Sequence, residues 1–283
     1  MYFLEILKVI FVGIIEGITE WLPISSTGHM LLVDEFLKMR MSEDFRKMFF
    51  VVIQLGAILA VVFIFWDKLW PFKRSTKPGK EGTITVNKKI ISLWVRVIIA
   101  TVPAAIIGLL LDDWMDEHMH KPWIIAIFLI LYGVWFIWVE ERNRHRRPRV
   151  KKLLKVTYVD ALKMGLFQCL SIIPGTSRSG ATIIGGLETG LSRRVAAEYT
   201  FFMGIPIMFG WSVVKLIKFG FHYTFFEFFE LILGMVVAFC VSLAVIKFLM
   251  DYIKKHNFKL FGYYRIALGV LVLIVFGIKA IAG

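Results

Sequence analysis

Long apolar runs alternate with short polar segments along most of the 283-residue chain. A helix needs about 20 mostly apolar residues to cross a bilayer. Six runs have about that length, and hydrophobic residues make up 58% of the sequence. The pattern predicts an all-α polytopic membrane protein with six transmembrane helices, at residues 48–66, 90–111, 122–139, 199–217, 228–250 and 261–282.

Two polar, glycine-containing stretches interrupt shorter apolar segments and resemble each other. The first is PISSTGH at residues 23–29, and the second is PGTSRSGAT at residues 174–182. Each lies between pieces too short to cross the membrane. Irregular backbone at membrane depth is tolerated only where it is buried in protein or lines a polar cavity. We therefore expect two re-entrant helix-break-helix hairpins, at residues 1–33 and 158–191, with the chemistry of the protein at their breaks.

The two halves of the chain show weak internal similarity. The aligned pairs are Gly13 with Gly165, Glu16 with Gln168 and, after a one-residue slip, Pro23 with Pro174. Each half carries three predicted spans, an odd number, so the two halves should have opposite orientations in the membrane. The sequence thus predicts an inverted-topology repeat whose units are residues 1–145 and 146–283.

The charged residues indicate how the chain is oriented. A net charge of +13 is compatible with nucleic-acid binding, but the basic residues concentrate in three loops between predicted spans. Cytoplasmic loops of membrane proteins retain Lys and Arg, so we expect these loops inside, membrane lipids around the protein and no nucleic-acid partner. An acidic loop belongs outside, which places both termini outside. The basic residues are Lys68, Lys73, Arg74, Lys77, Lys80, Lys88 and Lys89, then Arg142, Arg144, Arg146, Arg147, Arg149, Lys151, Lys152 and Lys155, then Lys254, Lys255 and Lys259; the acidic ones are Asp112, Asp113, Asp116 and Glu117.

The first break brings carboxylates, hydroxyls and an imidazole close together in sequence. Glu16 and Glu20 are four residues apart and lie on one face of the preceding helix, where unpaired carboxylates need a cation, a metal or water. Ser26 precedes His29 by three residues, so a hydroxyl and a base could meet, which is the minimum for an activated nucleophile. Two plainer interpretations stay open: the carboxylates face water at a helix end, and a hydroxyl only caps a helix.

The second break contains an arginine with few structural uses at membrane depth. Arg178 lies between Ser177 and Ser179 and between two glycines. A guanidinium matches phosphate oxygens in a bidentate manner, and hydroxyls with free N–H groups at a helix start add further donors. The pattern favours an anion site, while an ion pair from Arg178 to a carboxylate of the first hairpin stays open as a packing role.

At these motifs the sequence resembles the undecaprenyl-diphosphatase family of bacterial membrane enzymes, also called the bacitracin-resistance phosphatases. The family's acidic motif, (E/Q)xxxE, reads here Glu16-Gly-Ile-Thr-Glu20 and is followed by the matching WLPISSTGH. The second motif, PGxSRSxxT, reads from Pro174 to Thr182 without departure. The similarity runs along essentially the whole chain.

The resemblance implies that the protein removes the terminal phosphate of undecaprenyl diphosphate, which regenerates the lipid carrier for cell-wall synthesis and is linked to bacitracin resistance. It also implies a place in the bacterial plasma (inner) membrane, an active site toward the outer face, and a divalent cation, Mg²⁺ or Ca²⁺. For this phosphoryl transfer we expect Ser26 as nucleophile, His29 as its acid/base partner, and Glu16 and Glu20 as metal ligands or base. The expected phosphate-binding residues are Ser25, Thr27, Ser177, Arg178, Ser179 and Thr182.

Three matters stay open on the sequence. His29 itself or a metal-bound water is an alternative phosphate acceptor to Ser26. A polyprenyl-phosphate transporter is the rival function, because paired broken helices in inverted repeats are also transporter architecture. The oligomeric state, a homodimer included, is not determined.

Overall fold

The computed structural model describes residues 2–74, 82–220 and 222–282, and this part of the chain is almost entirely α-helical. It contains one short hairpin, in which β1 (Phe72–Arg74) pairs antiparallel with β2 (Ile84–Val86). Two of the predicted basic residues, Lys77 and Lys80, and the side chains of Asp112 and Asp116 lie outside the described residues. The described helices are α1 (Tyr2–Thr19), α2 (Ser26–Leu37), α3 (Glu43–Val52), α4 (Gln54–Ile64), α5 (Trp66–Leu69), α6 (Lys88–His118), α7 (Pro122–Arg142), α8 (Tyr158–Cys169), α9 (Arg178–Glu188), α10 (Arg193–Phe219), α11 (Phe225–Lys255) and α12 (Lys259–Ala282).

Six helical segments in the described residues are long and apolar enough to cross a membrane, and each coincides with one of the predicted runs. Their outer faces are apolar: Leu110 is 77% exposed and Phe63 is 69% exposed. Continuous apolar surface of this kind is stable only in contact with lipid or another protein. The prediction of a six-span membrane protein is confirmed. The segments are Glu43–Ile64, Lys88–Leu111, Pro122–Arg142, Arg193–Phe219, Phe225–Lys255 and Lys259–Ile281.

The acidic segment predicted as an outer loop is helical in the structure. α6 continues from the apolar run to His118, because a hydropathy pattern marks where the membrane ends and not where the helix ends. Met115 in this extension is buried, so the last turns still pack against the protein. Glu117 and Asp113 therefore lie on a helix that projects beyond the apolar span.

The chain before the first span folds back on itself. α1 stops short of the first polar motif, and α2 begins inside the motif at Ser26. The end of α2 returns to the start of α1, where Lys8 Nζ donates to the carbonyl of Lys38 at 3.1 Å and the Glu5 carboxylate accepts from the amide of Arg40 at 3.0 Å. The pair of helices thus enters and leaves at one end.

The second motif gives the same arrangement. α8 ends in a short 3₁₀ turn at Leu170–Ile172, and α9 begins at Arg178. After α9 the chain returns to the segment that precedes α8, where the amide of Arg149 donates to the carbonyl of Gly190 at 2.8 Å. Both polar stretches therefore interrupt helices at the predicted positions.

Each folded-back pair packs against a long helix of the other half of the chain. α1 lies on α11 so closely that a Cβ atom at Gly13 would be 2.9 Å from Cβ of Val237. α8 lies on α6, where a Cβ at Gly165 would be 2.5 Å from the carbonyl oxygen of Ala100. The two aligned glycines thus permit equivalent close helix contacts. This exchange brings the two breaks together in the interior of the molecule.

Candidate active site

The first break is turned by a serine in an unusual backbone conformation. Ser25 has φ +74°, a region that non-glycine residues rarely occupy. It caps α2, because its side-chain oxygen accepts from the amide of Gly28 at 3.4 Å. Ser26 is therefore the first residue of α2, beside the N–H groups that a helix start leaves free. Thr27 follows in the same turn and is half-buried.

The second break repeats this turn. Ser177 has φ +69° and caps α9 by accepting from the amide of Gly180 at 3.2 Å. The two capping serines are thus equivalent, and Arg178 takes the place in α9 that Ser26 takes in α2. Strain of this kind persists only where the surrounding structure enforces it, and it clusters at functional sites. The two helix starts are the natural places for an anion, since their free N–H groups and dipoles favour negative charge.

Glu20 joins the two breaks. One carboxylate oxygen accepts from Arg178 Nη2 at 2.9 Å, and the other accepts from Ser26 Oγ at 3.2 Å. Glu20 is 7% exposed, so the pair is shielded from water and the interaction is stronger than at the surface. A hydroxyl, a carboxylate and a guanidinium from opposite halves of the sequence form one continuous group.

The guanidinium of Arg178 is held in place by contacts with α10 and Trp21. Nη1 donates to the carbonyl of Thr200 at 3.1 Å, and the group lies 5.6 Å from the ring centre of Trp21. α10 carries a glycine where the guanidinium rests, and a Cβ at Gly204 would be 2.8 Å from Nη1. The Nε atom of Arg178 is buried without a hydrogen-bond partner, so its N–H is available to a ligand.

The other hydroxyls of the second break are engaged within the protein. Ser179 Oγ donates to the carbonyl of Glu20 at 3.2 Å, and Thr182 Oγ1 donates to the carbonyl of Arg178 at 2.9 Å. Both side chains are fully buried. Ser177 Oγ lies 3.2 Å from Ser179 Oγ. In the structure these hydroxyls fix the position of the second break, while the Nε donor of Arg178 in the same break is unused.

His29 is placed by two hydrogen bonds, neither of which involves Ser26. Nδ1 lies 2.8 Å from the carbonyl oxygen of Ser25, and Nε2 lies 2.7 Å from the hydroxyl of Tyr264, whose ring stacks on the imidazole. Because a carbonyl can only accept, Nδ1 carries the hydrogen, and in the neutral ring Nε2 accepts from Tyr264. The expected partner of Ser26, His29, is close in sequence, but Glu20 is the base that accepts the Ser26 hydrogen bond.

Glu16 lies one turn before Glu20 and is 1% exposed. Its Oε1 atom is buried without a hydrogen-bond partner, which is costly for a carboxylate unless a cation or water is bound. Within the described residues no group of three His, Cys, Asp or Glu side chains forms a metal centre. Two carboxylates with an unused oxygen nevertheless fit a hard cation that takes its remaining ligands from phosphate oxygens and water.

Comparison with known proteins identifies the family. The family described as "Bacitracin resistance protein BacA" matches the chain over residues 9–271. The chain belongs to the BacA family.

Curated relatives of this BacA chain extend over its whole length. A protein of Enterococcus faecalis named "Undecaprenyl-diphosphatase" is 60% identical over 273 residues, which cover 96% of this chain and 98% of the relative. A protein of the same name from Desulfitobacterium hafniense is 54% identical over 284 residues, 100% of both chains. A third, from Lachnoclostridium phytofermentans, is 57% identical over 272 residues, 96% of this chain and 97% of the relative. The resemblance seen in the motifs is confirmed.

Two further residues of the BacA site were not predicted from its sequence, and both lie on α12. Tyr264 positions His29, and Arg265 is completely buried and donates to the backbone of both breaks. A charged residue inside an apolar span signals a functional or structural role, so Arg265 was detectable in the run 261–282. Tyr264 gave no such signal, because tyrosine is common in membrane helices.

Proposed function

We propose that the protein is an integral membrane phosphatase that hydrolyses undecaprenyl diphosphate to undecaprenyl phosphate and inorganic phosphate. The observation that carries this proposal is the contact of one buried carboxylate, Glu20, with both the Ser26 hydroxyl and the Arg178 guanidinium. A hydroxyl beside a base and a cation beside the same carboxylate are the parts that phosphoryl transfer needs. The names of the close relatives agree with this activity.

In the proposed reaction the terminal phosphate lies between the starts of α2 and α9, with Arg178 donating to its oxygens. Ser26 Oγ attacks the terminal phosphorus while Glu20 accepts the hydroxyl proton. The bond between this phosphorus and the bridging oxygen breaks, and undecaprenyl phosphate leaves with the bonding electron pair. Water then attacks the phosphoserine in a second displacement: the bond between phosphorus and Ser26 Oγ breaks, Oγ takes back the proton held by Glu20, and inorganic phosphate is released.

Glu16 and Glu20 are the residues that would hold a divalent cation, Mg²⁺ or Ca²⁺. When bound, such an ion neutralises negative charge on the phosphoryl oxygens. The partner-free oxygen of Glu16 supports this assignment. The second carboxylate would then share its charge between the cation and Arg178.

We further propose that the two folded-back helix pairs are re-entrant hairpins of an inverted repeat in the bacterial plasma membrane. The equivalent serine caps, the paired close contacts of Gly13 and Gly165, and the return of each pair to its point of entry support the repeat. The basic loops support a cytoplasmic side opposite the termini. A site open to the outer face would recycle the lipid carrier and confer bacitracin resistance.

The hydrogen bond between Ser26 and Glu20 favours hydrolysis over transport. A transporter for a lipid phosphate needs a cavity lined by a cation such as Arg178, and it has no use for a hydroxyl held on a base. A serine hydroxyl hydrogen-bonded to a buried carboxylate is typical of a catalytic site rather than of a transport pathway.

The test is phosphate release by the purified protein in detergent. Undecaprenyl diphosphate and inorganic diphosphate are offered as substrates, each with EDTA and with Mg²⁺ or Ca²⁺ restored. We expect rapid release from the lipid, loss of release in EDTA and recovery with the cation. Absence of release from the lipid under all metal conditions would contradict the proposed function, and full release in EDTA would contradict the cation site.

A further inference from the structure

Arg265 lies between the two breaks and is hydrogen-bonded to their backbone, but not to the side chains assigned to catalysis. It belongs to α12, within the span Lys259–Ile281, and its side chain is 0% exposed. Burial of a charge is unfavourable unless hydrogen bonds compensate the loss of solvation. The burial of this guanidinium must therefore be compensated by specific contacts.

The guanidinium donates to backbone carbonyls of both breaks. Nη2 donates to the carbonyls of Gly175 and Thr176, at 2.7 and 2.8 Å, in the second break. Nη1 donates to the carbonyl of Pro23 at 3.4 Å in the first break. The ring of Tyr132 lies 5.7 Å from the guanidinium carbon. These carbonyls have lost their helical partners, so a single side chain satisfies backbone that the two interruptions expose.

We propose that Arg265 is a positioning residue that holds the two breaks at a fixed separation. Pro23 precedes Ser26 by three residues, and Thr176 precedes Arg178 by two. Fixing those carbonyls fixes the two helix starts, and with them the nucleophile and the phosphate ligand on either side of Glu20. The role rests on the proposed phosphatase function. Only a fork of several N–H donors can serve both breaks at once, and a lysine ammonium is a single point.

A purely structural role is the alternative, and the chain offers a matched control. Arg96 on α6 is also buried, and it donates to the carbonyl of Ser92 at 2.8 Å, to that of Leu154 at 3.4 Å and to that of Val156. Neither of the breaks is among these partners. Substitution of Arg96 removes a comparable buried guanidinium without changing the contact between the two helix starts.

The experiment compares R265K and R265Q with R96K and R96Q, and measures kcat and KM for undecaprenyl diphosphate and the thermal midpoint in detergent. Because small displacements of reacting groups cost about 100-fold in rate, we expect R265K to lower kcat at least about tenfold and R265Q to lower it further. We expect KM to change less than about threefold, as for an interaction that matters mainly in the transition state. The R96 variants should lose similar thermal stability with kcat near that of the wild type.

G180A tests the same role in a chain that keeps the buried charge. A Cβ at Gly180 would lie 3.2 Å from Arg265 Nη1, and 3.3 Å from Phe136 Cε2 and Ser177 Cβ. The methyl group should therefore shift the guanidinium by a few tenths of an ångström against the second break. Gly210 has open space around it, and G210A is its control. We expect G180A to lower kcat severalfold, and to lower it less in the R265Q background, because the two changes act on one contact.

Three outcomes would contradict the positioning role. The first is normal kcat in R265K and R265Q, and the second is a fall in kcat that the R96 variants reproduce at equal loss of stability. The third is a G180A effect that is unchanged in the R265Q background. Absence of turnover in the wild-type protein is a different result, because it would overturn the proposed function itself and the positioning role with it.

Discussion

Glu20 is the single residue whose carboxylate connects the two breaks, because one oxygen accepts from Ser26 and the other from Arg178. The substitution E20Q keeps the shape but leaves the buried Arg178 without its counter-charge. We expect the free energy of unfolding to fall by about 3 kcal/mol, typical for breaking a buried ion pair, and turnover to fall at least about 100-fold as the general base is lost. Thermal unfolding and phosphate release in detergent measure the two effects.

The control for this change is E43Q. Glu43 pairs with Lys47 at the surface, where the side chains are 68% and 67% exposed, and such pairs contribute less than about 1 kcal/mol. A loss of stability in E43Q equal to that in E20Q would mean that burial of the Glu20 pair has no special effect.

Ser26 is the proposed nucleophile, and its removal separates the alternatives for the reaction. S26A should lower turnover at least about 10⁴-fold, as loss of one member of a nucleophile–base unit does. In the wild-type protein, rapid acid quenching followed by mass spectrometry should find phosphate on Ser26. S212A is a suitable control, because Ser212 is also buried but donates to the carbonyl of Val51, away from the breaks. Undiminished turnover in S26A would instead assign the attack to His29 or to water.

At the scale of helices, the close contact of α1 with α11 determines where the first break lies. In G13L the new side chain would meet Val237 and the backbone of Gly234, both within 3.0 Å of its Cβ. Overpacking of this kind costs about 2–3 kcal/mol, so we expect a lower thermal midpoint. Turnover should fall as well, because α1 leads directly into Glu20. G210L, with open space around the glycine, should retain both properties. Equal midpoints for the two variants would mean that α1 does not depend on this contact.

The positions of the helix breaks were predictable from sequence, whereas the pairing of atoms across them was not. Hydroxyls and glycines inside apolar segments predict interrupted helices, and the helices do resume at Ser26 and Arg178. The pairing depends on the packing of each folded-back helix pair against a long helix of the other half of the chain. This packing brings Glu20 into contact with Arg178, 158 positions away. Hydropathy carries no information about such contacts. Proximity in sequence therefore favoured His29 as the partner of Ser26, while the fold placed a carboxylate there.

For the molecule as a whole, the proposed topology predicts which loops face the cell exterior. The end of α2 lies beside the start of α1, as the contact of Glu5 with the amide of Arg40 shows. Two spans separate Arg40 from Lys121, which follows α6, and a third span separates Lys121 from His145 in the basic loop after α7. Arg40 should therefore be on the same side of the membrane as Lys121 and opposite His145. All three side chains are exposed, so cysteines at these positions should be accessible to reagent.

The measurement uses a chain in which Cys169 and Cys240, the two native cysteines, are replaced by alanine. In intact cells a membrane-impermeant maleimide should label R40C and K121C, and it should label H145C only after the membrane is made permeable. If R40C behaves like H145C, the three helices between them cross the bilayer an even number of times, and the two helix pairs enter from the same face rather than from opposite faces. If all three positions exchange sides, the hairpins remain but the site opens to the cytoplasm. Labelling as expected would leave one arrangement: two hairpins inserted from opposite faces, whose breaks meet in the interior, with the carboxylates supplied from the outer side.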